Sequence, residues 1–163
     1  MRKFLAQLFL KYGIISVFEI DLRWKGHGLW SYDDCQNQVR YTSPTGITVT
    51  PGSFITDLGS TPRFVWSVYP PEEFAPAYII HDWLCNEKCT DQGYCSRKEG
   101  DKIFYNCLII VSGYLCGCRA SAGKERMEDV SGVKCTLAFQ WYKFKCWTIY
   151  KAVRIWAVLK GLK

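Results

Sequence analysis

Residues 71–85 read PEEFAPAYIIHDWLC, and this stretch divides the chain into two kinds of pattern. Ala75, Tyr78, Ile79 and Trp83 recur at the three- and four-residue spacing of one helical face. Pro71, Glu72 and Glu73 stand where a helix starts, since proline gives up no needed N–H in a first turn and carboxylates there meet the positive end of the helix dipole. The spacing predicts a helix from Pro71 to Cys85 with His81 and Asp82 in its second half.

Before this helix the period is two. In VFEIDLRW, residues 17–24, Phe18, Ile20, Leu22 and Trp24 face one way and Glu19, Asp21 and Arg23 the other, which predicts one half-buried strand. Gly26 and Gly28 punctuate it. Val39 and Tyr41 then lead through Ser43-Pro44-Thr45-Gly46 into Ile47-Thr48-Val49, a hairpin closed by a Pro/Gly turn, and Pro51-Gly52 ends that strand before FITDLGSTPR.

After the helix, residues 86–100 read as a polar, aperiodic loop. A second helix is predicted from about Lys98 to Tyr114, with Asp101 in its first turn and Gly113 and Gly117 ending it. Residues 119–133 form a charged connection, and a third helix is predicted from about Leu137 to Leu159. Strands first and helices after is the order of an α+β fold: a small antiparallel N-terminal sheet packed with about three helices, in a single domain over residues 1–163.

Composition limits the function classes. Hydrophobic residues at 48% and charged residues at 22% describe a chain able to bury a core, which argues against disorder. The formal net charge of +6 favours anionic partners, and part of the excess gathers at the C-terminus as Lys143, Lys145, Lys151, Arg154, Lys160 and Lys163. There Ile149, Val153 and Trp156 are expected to pack inward while Lys143, Lys151 and Arg154 stay in water. Trp147 and Val158 fall on the charged side, which makes this helix a candidate for peripheral membrane contact.

MRKFLAQLFLKYGIISVF opens like a secretory signal, but Lys11 interrupts the apolar run and no small-residue cleavage site follows before Glu19, so no signal peptide is expected. Nor does any stretch reach the roughly 20 apolar residues of a spanning helix. The nine cysteines are therefore expected to be mostly reduced thiols, with Cys107 and Cys146 buried in the second and third helices. Cys85, Cys89 and Cys95 have a spacing that zinc tolerates, without the paired C-x-x-C knuckles that mark such sites. No reader motif for sequence-specific nucleic-acid binding occurs.

The chemistry-bearing residues are Asp57, Ser60, His81, Asp82 and Asp101. One imidazole and three carboxylates on neighbouring elements form a candidate oxygen-rich divalent-metal site (Asp57, His81, Asp82, Asp101) or a His/Asp general-base arrangement with Asp57, His81 and Ser60. Each has a plainer account. Asp57 and Ser60 fit turn chemistry, His81 and Asp82 a hydrogen-bonded brace, and Asp101 a first-turn acid facing its helix dipole. His27, between Gly26 and Gly28, reads as an exposed turn residue.

Gly52, Phe54, Thr56, Asp57, Leu58, Ser60 and Pro62, then His81-Asp82-Trp83-Leu84, then Asp101 and Phe104, follow an order that resembles the phage-associated family known as domain of unknown function 1353. The agreement runs over roughly residues 39–110, and Ile149 to Arg154 resembles the family's closing helix. Gly59 and Gly100 stand where that family commonly has alanine, and Ser53 is one extra residue. The resemblance implies a phage or prophage origin and a shared polar site. With it comes the expectation of a phage-encoded hydrolase in the host cytoplasm or on the virion, acting on peptidoglycan peptide or another host cell-wall polymer. The alternative is a non-enzymatic virion or host-interaction protein in which the His/Asp cluster is structural.

Overall fold

The computed structural model describes residues 9–17, 20, 22–34, 39–58, 71–122, 132–159 and 161, and of residues 71, 72, 116–122 and 132–138 the backbone alone. The strands are β1 (Ile14–Val17), β2 (Leu22–Gly26), β3 (Leu29–Tyr32), β4 (Val39–Thr42), β5 (Thr48–Val49) and β6 (Phe54–Thr56). A 3₁₀ turn (Pro71–Phe74) leads into α1 (Ala75–Glu87). A short ribbon, β7 (Cys89–Thr90) and β8 (Gly93–Tyr94), separates α1 from α2 (Arg97–Ala122), and α3 (Gly132–Leu159) closes the chain. The fold is α+β with small antiparallel sheets toward the N-terminus, as the pattern predicts.

The segment VFEIDLRW is not one strand. Val17 ends β1, which pairs with β4 in a sheet of order β1-β4-β5, whereas Leu22 begins β2 in a second sheet of order β2-β3-β6. A period of two continues across a change of sheet and so does not reveal it. In the second sheet Trp24 is 57% exposed, because β2 is an edge strand and the contact on Trp24 is from its cross-strand partner Trp30, at 4.9 Å between ring centroids. The predicted hairpin is present: Tyr41 pairs with Val49 and Thr42 with Thr48 around a turn in which the Gly46 N–H donates to the Ser43 carbonyl. The interval after α1 holds the β7–β8 ribbon rather than a bare loop, and Asp91 at its tip latches onto the β5 end by accepting the Thr50 N–H and hydroxyl.

Helix α1 begins at Ala75 instead of Pro71. Pro76 has no N–H to return to the Glu72 carbonyl, so the first turn winds as 3₁₀ and the α-helix starts after it. Ala77, Tyr78, Ile79, Ile80 and Leu84 are all buried, which makes α1 the central element between the sheets and α2. From α2 come Phe104, Cys107, Leu108 and Ile109, and from α3 Cys146, Ile149 and Val153, all joined with Tyr32, Val39 and Tyr41 in one apolar cluster. Gly113 and Gly117 do not end α2, which runs to Ala122. A glycine inside a helix costs about 1 kcal/mol and does not break it when packing supplies more, and Gly113 is itself buried. The third helix likewise starts earlier than its apolar pattern, at Gly132.

Candidate functional site

Strand β6 ends at Thr56, whose hydroxyl does two tasks. It accepts the Leu58 N–H at 2.9 Å, closing a tight turn in which Leu58 sits at φ +54°, and it donates to Asp82 Oδ2 at 2.5 Å. The strand end is thereby tied to the middle of α1 through a buried bond. On the neighbouring face of α1, His81 Nε2 lies 3.0 Å from Asp101 Oδ1 in the first turns of α2, while its Nδ1 lies 3.7 Å from Asp82 Oδ1. The Phe104 ring covers the imidazole at 4.4 Å between centroids.

Asp101 is the centre of this arrangement. Its carboxylate is 0% exposed and receives three cationic donors: His81, Arg97 from one turn earlier on α2 (Nε to Oδ1, 3.1 Å) and Arg154 from α3 (Nη1 to Oδ2, 2.7 Å). A buried carboxylate is stable only when paired and hydrogen-bonded, and here both oxygens are. Burial alone would favour its neutral acid, but the bonds from His81 and Arg154 outweigh burial and hold Asp101 below the usual carboxylate range. For His81 burial favours the neutral ring, and the bond to Asp101 and then the nearby Asp82 carboxylate overturn that, raising it well above its ordinary value. The raised value favours the protonated ring, whose two nitrogens face Asp101 at 3.0 Å and Asp82 at 3.7 Å.

The structure brings His81, Asp82 and Asp101 together. Asp57 lies half-buried one residue past β6 with interactions of its own. Ser60 lies outside the described residues, so the Ser60-His81-Asp57 arrangement has no geometry to report. His27 occupies the exposed β2–β3 turn at φ +53°.

Four partners were not singled out from the sequence. Arg97 carries a local signal, four residues before Asp101 on the same helix. Thr56 and Phe104 stand among the residues that carry the family resemblance. Arg154 was expected in water, and its place beside Asp101 comes from helix packing across 53 residues of sequence, which no local pattern encodes. Cys85, one turn beyond His81, brings its thiol 3.5 Å from Nε2 and is half-buried.

Chemically, both ring nitrogens face carboxylates of the same cluster, and the raised value of His81 makes the ring reluctant to give up a proton. A divalent ion at Asp101 would have to displace the guanidinium groups of Arg97 and Arg154. Among the described residues no group of three or more His, Cys, Asp or Glu is placed to hold a metal ion, the Cys85, Cys89 and Cys95 set included.

Residues 34–113 match the family model described as "Protein of unknown function (DUF1353)". The match contains the β6 turn, α1 and the first part of α2, hence Thr56, Asp57, His81, Asp82, Arg97 and Asp101, and it leaves Arg154 and the rest of α3 outside. No curated protein and no solved structure matches the chain.

Proposed function

We propose, for a chain that belongs to this DUF1353 family of proteins of unknown function, that the His/Asp cluster is a structural lock and that the protein acts by binding, without catalysis. The supporting observation is Asp101: fully buried, with both oxygens taken by donors from α1, α2 and α3. One carboxylate ties three helices, and Asp82 extends the tie to β6. Catalytic groups need contact with a substrate, whereas these are enclosed by the elements they join. A hydrolase acting on peptidoglycan peptide or another host polymer would need an imidazole lone pair facing solvent. A virion component or host-directed binding factor needs none, and the phage setting that the family resemblance implies suits either.

The test is His81→Ala. As a lock, the residue leaves buried carboxylates short of a partner when removed, and the denaturant midpoint should fall by an amount corresponding to about 1–3 kcal/mol. A variant that keeps its midpoint, while the parent protein shows peptidoglycan hydrolysis that the variant lacks, would establish the enzymatic reading instead.

A further inference from the structure

Helix α3 is apolar on two opposite sides. Its inner side, Phe139, Tyr142, Cys146, Ile149, Val153 and Ala157, is buried against the core. At about 100° per residue, Trp141, Phe144, Trp147, Ile155 and Val158 fall on the far side, and they are 59%, 53%, 48%, 60% and 65% exposed. This outer stripe runs about 26 Å along the helix at 1.5 Å per residue. Trp141, Phe144 and Trp147 stack in succession along it, and large exposed apolar side chains grouped on one helix face mark a contact site.

Charge selects the occupant. From Gly132 to Lys163 the chain has no Asp or Glu, while Lys143 and Lys145 flank the stripe and Lys151 lies within it. Lys145 sits over Trp141 at 5.7 Å and Lys151 over Trp147 at 5.6 Å, so ammonium groups and indole rings share one level of the surface. Arg154 is turned inward to Asp101, which pins the inner side and leaves the outer one presented. A second copy docking face to face would set lysine against lysine with no carboxylate between them. No helix among the described residues is long and apolar enough to cross a membrane. Large aromatic rings interleaved with lysines on a surface helix are instead the chemistry of the headgroup boundary, where rings enter the interface and ammonium groups meet lipid phosphates.

We propose that the outer face of α3 seats the protein on an anionic membrane surface, through Trp141, Phe144 and Trp147 in the interface and Lys143, Lys145 and Lys151 on the headgroups. This goes beyond the reading of the His/Asp cluster, whose test uses other residues and another measurement. The experiment is co-sedimentation of the full chain with vesicles of phosphatidylcholine containing phosphatidylglycerol, against phosphatidylcholine alone. Retention on the anionic vesicles is expected at low salt, about tenfold above the neutral ones and weakened by high salt. Trp141→Ser/Phe144→Ser/Trp147→Ser should abolish it without moving the denaturant midpoint. Lys145→Glu/Lys151→Glu, which keeps the apolar stripe, should abolish it too and decides the matter if the triple variant does not fold. No retention at low salt, equal retention on neutral vesicles, or retention indifferent to the lysine pair overturns the proposal. So does concentration-dependent self-association that the triple variant removes, which would assign the face to a second copy.

Discussion

Asp101 sits where three cationic side chains meet, so removing its charge has consequences that differ with the replacement. Asp101→Ala leaves a buried imidazolium beside an empty space and is expected to cost about 3–5 kcal/mol, the range for breaking a buried pair from one side. Asp101→Asn keeps the shape and should cost less, which equilibrium denaturation of both variants will order. The same charges set a pH dependence. His81 is raised above its ordinary value near 6.5, so its stabilisation is complete below that pH and is lost as pH climbs through the raised folded value. Asp101 is lowered from about 3.8, so its stabilisation is complete above that pH and is lost as pH falls through the folded value. The denaturant midpoint should therefore be highest between roughly pH 4 and 6.5 and decline above it, and Asp101→Asn should flatten that decline. A midpoint that rises from pH 6.5 to 8 would show that His81 is neutral in the folded protein. At this scale the sequence reveals His81, Asp82 and Asp101 as polar groups set in apolar helices, since such residues need partners wherever they are buried. It does not reveal whether the partners enclose them or open onto a cleft, because Arg154 arrives from another helix.

Elements meet closely where side chains are small, and two glycines show opposite signs. Gly100 lies in the first turns of α2 against Leu84 of α1, and a Cβ there would meet Leu84 Cβ at 3.4 Å, ordinary van der Waals contact. Gly100→Ala should stabilise by about 0.5–1 kcal/mol, since it limits the unfolded chain at no steric cost, and alanine is also the residue the family resemblance places here. Gly13 stands at φ +100° before β1, where a Cβ would lie 2.3 Å from the Thr42 carbonyl oxygen, so Gly13→Ala should destabilise by more than Gly100→Ala gains. Thermal melts of the two variants should move in opposite directions, and a fall for both would mean that α1 and α2 approach too tightly for a methyl group. Element types were legible along most of the chain, because the hydrophobic period changes near Pro71 from two to that of a helix. Element ends were less so. Glycine reads as a stop, yet packing carries α2 through Gly113 and Gly117; VFEIDLRW keeps its alternation while crossing from one sheet to another; and Pro76 delays α1 by one turn.

The whole molecule coheres through α1, and its buried thiols report whether it opens as one unit. Cys107 on α2 and Cys146 on α3 are both 0% exposed and, as expected from the sequence, unpaired; burial pushes the Cys146 thiol up to about 11 against the opposing effect of its hydrogen bond with Ser112. Cys85 and Cys89 are half-buried. A small thiol reagent should therefore label Cys85 and Cys89 in the native protein, while Cys107 and Cys146 wait for unfolding, slowed about 10⁴-fold for a stability near 5 kcal/mol. If Asp101 and the shared core make α2 and α3 one cooperative unit, labelling of Cys107 and Cys146 should rise together with denaturant. The bond from Arg154 is a polar contact between α3 and the lock, so Arg154→Met should speed labelling of Cys146 ahead of Cys107 by letting α3 detach first. Mass spectrometry of the labelled protein separates the sites. Equal acceleration of both would mean that the apolar contacts of Ile149 and Val153 couple the helices without help from Asp101, and that the carboxylate serves α1 and α2 alone.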